Sequence, residues 1–185
     1  MWDAILQLFR SHDLRRKVFV ILALLVVFRV GAAIPVPGVN VAQLQNLFAG
    51  ETGQLLGLIN LFSGSALGNL SVMMLGVGPY ITGSIIMQLL TMIFPNLKRI
   101  YYEEGASGRA KFNRISRYIT LPLAMLQAYG FLNLLKSRDV IPDLTNIDLL
   151  RNILVITTGT LILMWIGELI TEKKIGNGIS LIIFA

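Results

Sequence analysis

Apart from Arg117 at the very start of one, Arg29 and Glu168 are the charged side chains that fall inside long apolar stretches of this 185-residue chain. Charge is expensive in hydrocarbon, so such groups are the usual carriers of proton relays and ion coupling. Both lie near the ends of their stretches, Arg29 shortly before Pro35 and Pro37, and Glu168 close to Lys173 and Lys174. That placement favours snorkelling or a local ion pair. No carboxylate, histidine or lysine sits at the middle of a stretch, so a proton relay or cation-coupling site lacks its parts. The one histidine, His12, stands in a basic collar with Arg10, Arg15, Arg16 and Lys17 and reads as a surface residue. With no cysteine there is no disulfide framework, thiolate metal site or cysteine nucleophile. Gly176-Asn177-Gly178 follows a helical pattern rather than a strand, which fails the context of a dinucleotide fingerprint, and there is no Gly-Lys-Ser/Thr phosphate loop. The expectation is a chain without cofactor, metal or catalytic centre.

The elements that hold these residues follow from composition. The chain is 55% hydrophobic and 14% charged, with a mean hydropathy of +0.70. Soluble domains carry about 25% charge, so a membrane protein is expected. A bilayer core needs roughly 17–25 helical residues. The apolar stretches 18–34, 72–94, 115–135 and 153–170 meet that length, and a fifth begins at 175 and runs to Ala185. It is cut off mid-pattern, so the chain reads as a fragment of a longer protein. The expected fold class is all-α, a polytopic helical membrane protein. An amphipathic helix over 1–17 lies in the headgroup region, with Trp2, Ile5, Leu6 and Phe9 on one side and the basic collar behind them. The connecting loops are 35–71, 95–114, 136–152 and 171–174.

Basic residues fix an orientation. The segments before the first stretch, between the second and third, and between the fourth and fifth hold twelve Lys and Arg when Arg117 is included; the other two loops hold three, Lys136, Arg138 and Arg151. The positive-inside rule places the N-terminus in the cytoplasm. The net charge of +6 is thereby explained by charge next to spans, which makes a nucleic-acid reading unattractive, although ribosomal RNA remains open as a partner.

Two segments break the pattern of plain spans. The outer loop opens with Ile34-Pro35-Val36-Pro37-Gly38-Val39, a stiff extended stop for the first helix. It closes with Leu61-Phe62-Ser63-Gly64-Ser65-Ala66-Leu67-Gly68-Asn69-Leu70-Ser71. That run is too short to span and too apolar for a free aqueous loop: it is a re-entrant half-helix among the spans or an interfacial loop resting on lipid. Second, Gly76-Val77-Gly78-Pro79 weakens the start of the second span, and broken helices often mark transport pathways. Val77, Ile81 and Ile85 share one face, a stripe that faces lipid or core. The loop Glu103-Glu104-Gly105-Ala106-Ser107-Gly108-Arg109-Ala110-Lys111 is basic and glycine-flexible; it is either a plain positive-inside loop or a docking surface for a soluble partner.

Taken together, the motifs Asp13-Leu14-Arg15-Arg16-Lys17, Arg29-Val30-Gly31, Ile34-Pro35-Val36-Pro37-Gly38-Val39, Phe62-Ser63-Gly64, Gly78-Pro79-Tyr80-Ile81, Glu104-Gly105 with Gly108-Arg109, Arg117-Tyr118, Met164-Trp165-Ile166-Gly167-Glu168 and Gly176-Asn177-Gly178-Ile179-Ser180 resemble, in order and over nearly the whole chain, the N-terminal half of the SecY family. These are the pore-forming subunits of the bacterial protein-conducting channel. The resemblance implies ten spans in two inverted halves around an hourglass pore, of which this chain supplies four and the start of the fifth. It implies a plug formed by residues 61–71. It implies pore-ring positions at Val77, Ile81, Ile179 and Ile183, with Ile85 and Ser180 beside them. A lateral gate at Thr82, Ile85 and Gln127 is likewise implied, as is a cytoplasmic docking face at Arg109 and Lys111. The implied partners are the SecE and SecG subunits, the SecA motor ATPase, the ribosome, signal sequences, nascent chains and membrane lipids. The implied location is the bacterial plasma membrane. Two other readings of the residues stand beside it: a secondary transporter built on the broken second span, and a structural scaffold subunit without a pore.

Overall fold

The computed structural model describes residues 12–37, 68, 70–137, 141 and 145–185. Among them are six helices: α1 His12–Ala33, α2 Gly78–Ile93, α3 Pro95–Tyr102, α4 Gly105–Lys136, α5 Asn146–Glu172 and α6 Gly178–Phe184. No strand occurs among the described residues; Pro35 and Ser71 form an isolated antiparallel bridge. The expected all-α membrane architecture is what the chain adopts. Among the described residues, α4 and α5 are long and apolar enough to cross a membrane, and α2 with α3 makes a third candidate if that bent pair counts as one span.

Proline dictates where α1 stops. The residue before a proline is pushed out of the helical region, and α1 ends at Ala33, leaving Ile34 to precede Pro35 in a bend. The chain then pairs with its own return. Val36 N–H donates to the Leu70 carbonyl at 2.8 Å, and Val72 N–H donates to the Ile34 carbonyl at 2.9 Å. The exit of α1 and the approach to α2 are thereby clasped.

The apolar stretch beginning at residue 72 is not helical from its start. Residues 72–77 form successive turns, with Met74 N–H to Ser71 O, Gly76 N–H to Met73 O and Gly78 N–H to Leu75 O. Gly76 has φ of 57°, a conformation that costs glycine little and other residues much. The helix forms only at Gly78, with Pro79 in its first turn, where the missing N–H is no loss. The remaining 16 residues reach about 24 Å. At Phe94 the backbone is extended ahead of Pro95, and α3 leaves at 113° to α2.

Helix α4 begins at Gly105, upstream of its apolar stretch, and its 32 residues reach about 48 Å. That exceeds a bilayer core of about 30 Å. Its buried residues Gly108, Phe112, Ser116, Thr120, Ala124, Ala128 and Leu132 recur every fourth position. They meet an equally spaced row on α2, Pro79, Gly83, Met87 and Thr91. Small side chains let the two backbones approach: a Cβ on Gly83 would lie 3.0 Å from Thr120 Oγ1. Helix α5 is the central element, buried on several sides. At Gly159 it is crossed so closely that a Cβ would lie 2.0 Å from the Val72 carbonyl oxygen. Two apolar cores result. One gathers Val36, Leu70, Met74, Leu132, Leu135 and Ile156. The other gathers Phe28, Met73, Val77, Leu163, Ile166, Ile170 and Ile182.

Candidate functional site

The second core joins the candidate ring residues. Val77 is the N-cap of α2 and is 1% exposed. Ile81 follows one turn later, and its N–H donates to the Val77 carbonyl at 3.0 Å. Ile179 and Ile183 stand one turn apart on α6, and both, like Ile81, pack against the same buried cluster. The residues that put α6 there are explicit. Asn177 caps it, its side-chain oxygen accepting from the N–H groups of Ile179 at 3.0 Å and Ser180 at 3.5 Å. Thr171 Oγ1 accepts from Gly178 N–H at 2.9 Å while donating to the Gly167 carbonyl at 2.8 Å. A Cβ on Gly178 would lie 1.9 Å from the Gly167 oxygen, so α6 turns back against α5 at the one residue type that fits.

A cavity of about 870 Å³ opens beside this cluster, bounded by α2, α4, α5 and the turn leading to α6. Ile81 and Ile179 line it, and so does Ile85, which is 50% exposed. The rest of the wall is polar: Tyr80, Ser84 and Gln88 from α2, Asn113 and Arg117 from α4, Glu168 and Glu172 from α5, and Lys174 and Asn177 from the turn. Arg117 Nε donates to Glu168 Oε1 at 2.6 Å across α4 and α5, with the two side chains 48% and 17% exposed. Glu168 thus has a cross-helix partner. The arrangement is a polar mouth leading to branched aliphatic side chains. Such side chains offer an ion no ligand, and an apolar constriction resists wetting.

The other candidate residues are less gathered. Thr82 is half-buried on α2 beside Gly83. Gln127 is half-buried on α4 about two turns beyond Thr120, the residue that Gly83 faces. Of the plug candidates, residues 61–67 and 69 lie outside the described residues. Gly68 is half-buried, Leu70 is buried with φ of 42°, and Ser71 Oγ accepts from Met73 N–H at 3.2 Å. Arg109 is exposed in the first turns of α4. Lys111 Nζ is bound to Glu104 Oε2 at 2.8 Å. Its hydrogen bond is the main reason that the Glu104 carboxyl lies below the ordinary carboxylate range. Among the described residues no group of three His, Cys, Asp or Glu is placed to hold a metal ion.

Sequence reasoning placed Glu168 in a local pair or at the interface but did not identify Arg117, because the partners are 51 residues apart. Nor did it find the Asn177 cap or the Thr171 relay. The cap was findable: asparagine directly before Gly178-Ile179 is an N-cap signature.

Comparison with known proteins places the chain among relatives. The sequence profile of the SecY family matches residues 71–185. The Protein translocase subunit SecY of Mycobacterium bovis is 44% identical over 196 residues, which cover 100% of this chain and 44% of the relative. Proteins of the same name from Corynebacterium glutamicum and Streptomyces galbus are 42% and 40% identical, covering 99% and 100% of this chain and 44% and 45% of each relative. The chain therefore spans less than half the length of these curated relatives.

Proposed function

Because this chain belongs to the SecY family, we propose that it forms the N-terminal half of a passive channel for unfolded polypeptides. The channel translocates chains across the bacterial plasma membrane and releases transmembrane segments into it. The observation that carries this reading is the meeting of Val77, Ile81, Ile179 and Ile183 at one apolar cluster beside a polar cavity. A peptide pore has to admit many side chains while holding back ions. Branched aliphatic residues do both, since they bind no ion and deform around a chain. The other half of the protein supplies the rest of the ring. Residues 61–71 act as the plug, and Thr82, Ile85 and Gln127 belong to the lateral gate. The twelve-to-three division of basic residues supports a cytoplasmic N-terminus, with the polar cavity on the cytoplasmic side.

The channel performs no covalent chemistry, so the driving force comes from a partner, the SecA motor ATPase or a translating ribosome. Arg109 belongs to the docking face, and SecE and SecG complete the complex. The secondary-transporter reading has no support from the relatives, which are named as translocase subunits.

The test is polar substitution in the ring. In the complete protein, reconstituted in planar bilayers, Ile81→Asn raises resting ion conductance and lets substrates with defective signal sequences be exported. Unchanged conductance together with unchanged selectivity overturns the pore assignment.

A further inference from the structure

We propose that Arg117 is a positioning residue for the aliphatic ring. Through its bond to Glu168 it fixes the turn of α5 on which α6 rests, and so sets where Ile179 and Ile183 stand relative to Val77 and Ile81. The inference deepens the pore assignment and rests on it. A constriction keeps its aperture only while the elements that carry it are held in place. Two pairs of helices carry this one. Helix α2, with Ile81 and the N-cap Val77, is seated on α4: a Cβ on Gly83 would lie 3.0 Å from Thr120 Oγ1. Thr120 is less than one turn beyond Arg117.

Helix α6, with Ile179 and Ile183, is seated on α5 at Gly167, the neighbour of Glu168. Gly167 is buried, and a Cβ there would lie 2.6 Å from Ile179 Cδ1 and 3.3 Å from Ile182 Cδ1. Its carbonyl abuts Gly178 and accepts from Thr171 Oγ1, which accepts in turn from Gly178 N–H. With no side chain at Gly167 to take up a shift, movement of this turn passes directly to Ile179. Arg117 and Glu168 therefore join the α2–α4 pair to the α5–α6 pair at the level of these two seats. The bond is charge-assisted, and the guanidinium stays charged at any physiological pH. Glu172 and Lys174 also line the cavity, but both stand on the α5–α6 side and neither comes from α4.

The experiment measures resting ion conductance of the complete protein in planar bilayers, with Ile81→Asn as the reference for a damaged ring. Arg117→Gln is expected to raise conductance about fivefold, the shift in a closed-to-leaky equilibrium that about 1 kcal/mol governs. Arg117→Lys, which keeps a cation facing Glu168, stays near the unaltered protein. Arg151→Gln, which removes the partner of Asp148 in the first turns of α5 away from the cavity, leaves conductance unchanged. Because Arg117 acts through the ring, Arg117→Gln adds little in a protein that already carries Ile81→Asn. A leak in Ile81→Asn with none in Arg117→Gln overturns this inference and leaves the pore assignment standing. No leak in either variant overturns both. A full additional increase in the double variant, or a leak in Arg151→Gln as large as that in Arg117→Gln, also overturns the inference, since the pair would then act by general destabilisation and not through the ring.

Discussion

Arg117 and Glu168 join α4 to α5 through a 2.6 Å charge-assisted hydrogen bond at the wall of the polar cavity. The pair is asymmetric: the guanidinium is about half exposed and the carboxylate is 17% exposed. Removing the arginine therefore strands a carboxylate, whereas neutralising the acid leaves an exposed cation that water can serve. Arg117→Ala is expected to destabilise by roughly 1 kcal/mol, the upper end for a solvent-screened pair, and Glu168→Gln by less. The double variant Arg117→Ala, Glu168→Ala should lose less than the sum of its single changes, with a coupling of about 0.5 kcal/mol or more. Denaturation in mixed micelles measures all four corners of that cycle, and strict additivity would show that the contact contributes nothing.

How far the sequence alone discloses this molecule depends on the range of the interaction. The apolar runs and the prolines at 35, 79 and 95 act locally, so the helical class and the end of α1 are readable from residue order. The second stretch misleads in part: hydropathy begins at Val72, but Gly76 with positive φ and the prolyl turn delay the helix to Gly78. Hydropathy reports which side chains are apolar, not where the backbone hydrogen bonds go. The convergence of Ile81 and Ile179 on one cluster is implied by the family resemblance and not by spacing, since no periodicity links positions so far apart. The Gly159–Val72 and Gly178–Gly167 crossings are likewise tertiary facts that a lone glycine does not announce.

Those crossings give a second expectation. Gly159→Ala and Gly178→Ala drive a methyl group into carbonyl oxygens at 2.0 and 1.9 Å, so backbone has to move. Each is expected to cost about 2 kcal/mol or more. Gly130 on α4 has open space around its Cβ position, and Gly130→Ala should be neutral or stabilising by up to about 1 kcal/mol through helix propensity. Thermal unfolding of the three variants in one detergent separates the classes. A Gly159→Ala protein as stable as Gly130→Ala would show that the crossing at Val72 is looser than described.

Asn177 gives a third. Its side chain serves two of the otherwise unpaired N–H groups that open α6. Asn177→Ala is expected to cost about 1 kcal/mol, while Asn177→Asp or Asn177→Ser should retain most of the cap. The loss should be local. Hydrogen exchange at the first-turn amides of α6 should speed up several-fold in the alanine variant while the interior amides of α4 are unaffected. Uniform acceleration through α4 and α6 would mean that Asn177 supports the whole bundle rather than one helix start.

The Glu104–Lys111 contact gives a dependence on pH whose sign is fixed. Lys111 holds the Glu104 carboxyl below its ordinary value of 4.5, chiefly by hydrogen bonding. A carboxyl whose folded-state pKa is depressed contributes stability above the unfolded value, and that contribution is lost as pH falls through the depressed one. The contact lies at the start of α4, where Glu104 is the N-cap residue and its carbonyl accepts from Ser107 Oγ and from Gly108 N–H. Protection of the first α4 turn against exchange, corrected for intrinsic rates, should therefore be constant at neutral pH and decline on acidification below the ordinary carboxylate range. Lys111→Ala should return the Glu104 titration toward 4.5 and flatten that decline, whereas Lys111→Arg should preserve it. A decline identical in Lys111→Ala would assign the acid sensitivity to another carboxylate.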